Sequence, residues 1–157
     1  MPLDLTPQQQ EIHSGLSRIG QEIANFYIDG IRMLYSNEYH SKSYLLGHIA
    51  REIDGGIRDI LASEHSEKNN GKESEADSTE KLSHIESILF SLGLSDKSDF
   101  ADKWHKVAKK FHKYAHRRGP FRESRNPSDI INLWSKYEQI LHKMVGSFLA
   151  ITDRIDH

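Results

Sequence analysis

Cysteine is absent from all 157 residues, which removes disulfides, thiolate zinc sites and a cysteine nucleophile together. The expectation is a protein of the reducing cytoplasm. Proline is scarce at four residues and glycine numbers ten, so few obligatory breaks interrupt long periodic segments. No stretch approaches the roughly 20 apolar residues of a membrane span. The opening MPLDLTPQQQEI has neither the basic nor the apolar part of a secretory leader, so neither secretion nor membrane insertion is expected. Strand-like alternation, a repeat of fixed period, a glycine-rich phosphate loop and a nucleophile elbow are missing too.

What remains is helical periodicity. Hydrophobic residues make up 36% and charged residues 28% of a chain whose length suits one domain. Thr6-Pro7 gives a hydroxyl cap followed by proline in the first turn. From there Ile12, Leu16, Ile19, Ile23, Phe26, Ile28, Ile31 and Leu34 recur at helical spacing, predicting one long helix to about Asn37. A second helix is predicted from about Ser41 to Glu64, with Leu45, Leu46, Ile49, Ile53, Ile57, Ile60 and Leu61 in a single arc. Its Gly55-Gly56 pair costs about 1 kcal/mol per glycine relative to alanine, which a close neighbour or a bend would explain.

The polar run from His65 to Thr79 has no large apolar residue and is predicted to be a mobile loop within the single domain 1–157. A short helix from about Thr79 to Leu92 follows, with Gly93 as its stop. A fourth runs from Ser95 or Ser98 to Arg118, before Gly119-Pro120, and a fifth starts at Ser128-Asp129. The predicted fold is all-α, an antiparallel bundle of about five helices.

The formal net charge of -2 hides an asymmetry. Nine Lys or Arg between Lys103 and Arg125 face a single acid, Glu123, which points to an anionic partner. On a wheel of the fourth helix, Trp104, Val107, Ala108, Phe111, Tyr114 and Ala115 share the core side. His105, His112 and His116 form a row along its flank, and Lys106, Lys110, Lys113 and Arg117 cover the far side.

Three readings compete for the histidine row. Boundary imidazoles can simply hydrogen-bond to neighbouring helices. His112 and His116, one turn apart, can share a metal ion, but the zinc-hydrolase glutamate and a third ligand are missing, and no metal site is assigned. In the third reading, the basic sector holds phosphate while a histidine moves protons near neutral pH. On the second helix, Tyr44, Arg51 and Arg58 lie opposite the apolar arc, either as a solvated face or as a dimer face of the composition that interfaces favour. After the fourth helix, Arg122 and Arg125 beside Phe121 suit phosphate contact and base stacking, or ordinary solvation.

The order of these segments, with YLLGHIAREIDGGIRDIL in the second helix, FHKYAHRRG closing the fourth and IINLWSKYEQILHKMVGSFL in the last, resembles the HEPN superfamily of higher-eukaryote and prokaryote nucleotide-binding domains. The resemblance spans most of the chain and rests on pattern. It implies a compact helical bundle, often dimeric, of a bacterial toxin, antiviral or CRISPR-associated system, and in many members a metal-independent ribonuclease with no cofactor.

The family's catalytic pattern is an Arg, often a polar residue next, and then a His after four to six intervening residues. Aligned on His116, it places His112 at the polar position and Phe111 where the Arg would stand. The implied roles are acid or base for His116, polar neighbour for His112, and phosphate clamp for Arg117 and Lys110. Lys106, Lys109, Lys113, Arg118, Arg122 and Arg125 would then contact nucleic acid. Arg51 or Arg58 of a second copy could supply the missing Arg in trans. The literal match of Arg58 with His65 is of the frequency that chance gives. The implied partners are RNA or another anionic molecule and a second copy or larger complex; the alternative is a non-catalytic helical dimerisation or interaction domain.

Overall fold

The computed structural model describes residues 3–38, 40–61, 85, 88–89, 92–93, 98–115 and 127–155. Five helices account for nearly all of them: α1 (Pro7–Ile19), α2 (Gln21–Tyr35), α3 (Lys42–Leu61), α4 (Ser98–Ala115) and α5 (Pro127–Ile155). No strand occurs among the described residues, and no helix among them is long and apolar enough to cross a membrane. The fold is an all-α bundle. Ile85, Ile88 and Leu89 are helical and buried; the rest of the short helix predicted around them, and the segment 65–79, lie outside the described residues.

The single long first helix is two. Gly20 is extended at φ -171 and ψ 128, its N–H closing α1 on the Leu16 carbonyl and its own carbonyl receiving the N–H of Ile23 and Ala24. The chain reverses there. α1 runs along α5 in the same direction, with Gln9 beside Glu138, Gly15 against Val145 and Arg18 paired to Asp153. α2 runs back against it, with Tyr27 on Glu138 and Gly30 on Trp134. The near-heptad spacing of apolar residues continues in step across the turn, so periodicity alone reads through it.

Two devices fix this hairpin. Thr6 and Gln9 form a capping box, each side chain taking the other's backbone N–H at 3.1 and 3.0 Å. The Gln9 amide then donates to Glu138 at 3.1 Å, and the Tyr27 hydroxyl donates to the same carboxylate oxygen at 2.5 Å. Glu138 thereby ties both arms to α5. Burial together with this carboxylate pushes the Tyr27 phenol above its ordinary range, so it stays a donor.

The remaining helices alternate in direction. Ile23 meets Gly56 and Gly30 meets Ile49 along α2 and α3. Gly47 meets Phe111 and Ala115, while Asp54 meets Trp104, along α3 and α4. Phe111 packs edge-on against Tyr137 between α4 and α5. At Gly47 a Cβ would lie 2.9 Å from both the Ala115 nitrogen and the Phe111 carbonyl oxygen, so the α3–α4 seam is as close as two backbones allow. The core centres on Trp104, Trp134, Tyr27, Tyr137 and Phe111, all essentially inaccessible, each worth about 1.5–3 kcal/mol by burial. Ile60, expected in the apolar arc of α3, is 47% exposed, whereas Asp54 is buried at 5%.

Candidate nucleic-acid site

A cleft of about 780 Å³ opens over the C-terminal half of α3. α3 is its floor, with Ala50, Arg51, Glu52, Gly55, Arg58 and Asp59. The first turns of α2 form one wall with Glu22, Ile23 and Phe26, and α4 forms the other with His105, Ala108, Lys109 and His112. Ile85, Phe111 and Tyr137 also line it. The Gly55-Gly56 pair belongs here. α3 passes through it without a break; Gly56 abuts Ile23, whereas a Cβ on Gly55 would meet nothing within 4 Å.

α4 positions its wall by simple periodicity. Phe100, Trp104, Val107, Phe111 and Tyr114 are buried, so His105 and His112, seven residues apart, fall half-buried on the flank with Lys109 exposed between them. On α3 the same seven-residue step relates Arg51 to Arg58. Because α3 and α4 run in opposite directions, the Asp54–Trp104 contact sets Arg58 level with the first turn of α4, and the Gly47–Phe111 approach sets Arg51 near the level of Val107, between His105 and His112.

Beneath the floor lies a buried polar cluster. Asp54 receives the Trp104 indole N–H at 2.6 Å, the Arg58 Nε–H at 3.1 Å and the Tyr137 hydroxyl at 3.4 Å. A buried carboxylate with an ion-pair partner and further donors meets the condition under which such a group is tolerated. Burial first, and then the Asp54 charge, push the Tyr137 phenol well above its usual range, with Arg58 opposing. Tyr137 is therefore a neutral donor and not a base.

Arg58 thus leaves the outward row expected of Tyr44, Arg51 and Arg58: it turns to the edge of the core, on Asp54. Arg51 is exposed and lines the cleft, and Tyr44 stands edge-on to His48 with ring centroids 4.6 Å apart. Of the basic sector, Lys109 lines the cleft, while Lys106, Lys110 and Lys113 are exposed on α4 outside it. His116, Arg117, Arg118, Arg122 and Arg125 lie outside the described residues, and with them the phosphate clamp expected of Arg117 and Lys110. No group of three or more His, Asp or Glu among the described residues is arranged to hold a metal ion.

The sequence reading missed the acidic side of the cleft. Glu22, Glu52, Asp54 and Asp59 line it against the fixed cations Arg51, Arg58 and Lys109. Among the described lining residues four carboxylates thus stand against three fixed cations, alongside His105 and His112. Asp54 had a signal, since it precedes Arg58 by one helical turn and sits between Ile53 and Ile57. Glu22 and Glu52 had none, because only the packing of α2 on α3 joins them. No family model, curated protein or solved structure matches this chain.

Proposed function

We propose that this chain is an RNA-directed module of a bacterial defence or toxin system, related to the HEPN bundles, and that it cuts RNA without a metal ion. The supporting observation is that His112, Lys109 and Arg51 line one cleft of about 780 Å³. The arginine missing from the fourth-helix pattern then comes from α3 of the same chain, with no second copy required.

The chemistry is attack of a ribose 2′-hydroxyl on the adjacent phosphorus. A bond forms from O2′ to phosphorus, the bond to the 5′-oxygen breaks, and a cyclic phosphate and a 5′-hydroxyl result. His112 serves as one proton carrier, the role imidazole fills near neutral pH. Arg51 and Lys109 neutralise the charge gathering on the phosphoryl oxygens. His105 stands two turns from His112 on the same flank, roughly 10 Å along the axis. His116, four residues beyond His112 in the sequence, is assigned as the second carrier. Lys106, Lys110 and Lys113 supply a path for the neighbouring phosphates.

The reading is tested by incubating the purified chain with single-stranded RNA in EDTA and analysing the ends. Cyclic phosphate ends support it, and intact RNA with well-folded protein refutes it. The second reading, a non-catalytic dimerisation or interaction domain, draws on Tyr35 and Ile131, 64% and 43% exposed, at the same end of α2 and α5.

A further inference from the structure

The two walls of the cleft differ in kind. The α4 side carries His105, Lys109 and His112, with Arg51 beside them on the floor. The α2 side carries Phe26 and Ile23 with Glu22, and Glu52 projects from α3 near the level of Phe26, as the Ile23–Gly56 and Gly30–Ile49 contacts fix. Between the walls Gly55 leaves the floor bare. A site for phosphate alone has no use for a carboxylate and aromatic wall. The complementary ligand is amphoteric: an anionic group for the α4 side and, one flat apolar ring away, N–H donors for the carboxylates.

We propose that the cleft is a binding site for one unpaired nucleotide, with guanine preferred over uracil. This deepens, and rests on, the reading of RNA as the substrate class. The volume lies in the range of small-ligand pockets, about 300–1,000 Å³, which admits a nucleotide and excludes a duplex. Phe26 offers a stacking face. Guanine alone among the four RNA bases presents two adjacent N–H donors on its Watson–Crick edge, the geometry a carboxylate accepts as a pair. Uracil presents one N–H between two carbonyls that a carboxylate repels.

The test is calorimetric titration of the full chain with guanosine and uridine 5′-monophosphates, for wild type, Gly55→Leu and Glu52→Gln, with folding of each checked by circular dichroism. Gly55→Leu fills the floor from a position where a side chain meets nothing, and replaces glycine with a better helix former. The expected result is one guanosine monophosphate per chain, bound roughly tenfold more tightly than uridine monophosphate. Binding should be lost in Gly55→Leu, and the difference between the nucleotides should shrink in Glu52→Gln. Absent binding by wild type, equal affinity for the two nucleotides, or unchanged binding by folded Gly55→Leu would overturn the proposal. The two failures are distinct: RNA cleavage without this nucleotide preference sinks the present inference alone, whereas guanosine monophosphate binding without cleavage sinks the ribonuclease reading alone.

Discussion

Trp104 donates its indole N–H to Asp54 at 2.6 Å across the α3–α4 seam, in a core where Trp104 is fully covered. This contact holds the floor and one wall of the cleft in register, and it hands Asp54 to Arg58 as a counter-ion. Removing the carboxylate strands three donors at once. Asp54→Ala is therefore expected to cost about 3–5 kcal/mol, with Asp54→Asn milder because its amide oxygen still accepts from the indole. Urea unfolding followed by tryptophan fluorescence measures both. A cost below about 1 kcal/mol for Asp54→Ala would mean that the pair is hydrated in solution.

Glu138 holds the two arms of the α1–α2 hairpin, so Glu138→Ala is expected to cost about 2–4 kcal/mol and Tyr27→Phe about 1–3 kcal/mol. The exposed Arg18–Asp153 pair, 3.5 Å apart, is the control: Arg18→Ala should change stability by less than about 1 kcal/mol. Equal effects at the two places would show that the buried clamp contributes nothing beyond a surface ion pair.

Two glycines on α3 should respond with opposite signs. Gly47→Ala forces a methyl group onto the α4 backbone and is expected to destabilise by about 1–3 kcal/mol. Gly55→Ala meets nothing and removes unfolded-state freedom, so a gain of about 0.5–1 kcal/mol is expected. Thermal melts of the two variants give the comparison, and a loss at Gly55 would mean that the cleft floor is covered.

Alkaline pH should unfold the chain through its two buried phenols. Tyr27 and Tyr137 are both held above the ordinary range when folded, while the unfolded chain ionises them near pH 10. Their contribution is thus complete below about pH 10 and is lost as pH climbs beyond it, by up to about 1.4 kcal/mol per pH unit for each phenol. Urea midpoints between pH 8 and 11.5 should fall over that interval. Tyr27→Phe should flatten the fall, and an unchanged slope in that variant would contradict the assignment.

The helical class and the faces of α4 were legible in the sequence because a stripe of large apolar residues, Trp104, Phe111 and Tyr114 among them, fixes one side and leaves the histidine row on its flank. The turn at Gly20 was not legible: the apolar spacing runs through it unbroken, and φ there is one that any residue adopts. Arg58 misled for the opposite reason. It was taken to face out, whereas its pairing with buried Asp54 turns it to the edge of the core, and a wheel carries no record of pairing. The acidic wall needed tertiary structure, since Glu22 and Glu52 lie thirty residues apart and meet the histidines only where three helices pack.

Cleavage of single-stranded RNA in EDTA by wild type, His112→Ala and Arg51→Ala, with Lys113→Ala as the surface control, bears most directly on the cleft as the place where RNA is cut. Loss of a proton carrier should lower the rate at least about a hundredfold in His112→Ala, with a comparable drop in Arg51→Ala and little change in Lys113→Ala. Intact RNA with the wild-type chain, or full activity in folded His112→Ala, would contradict it.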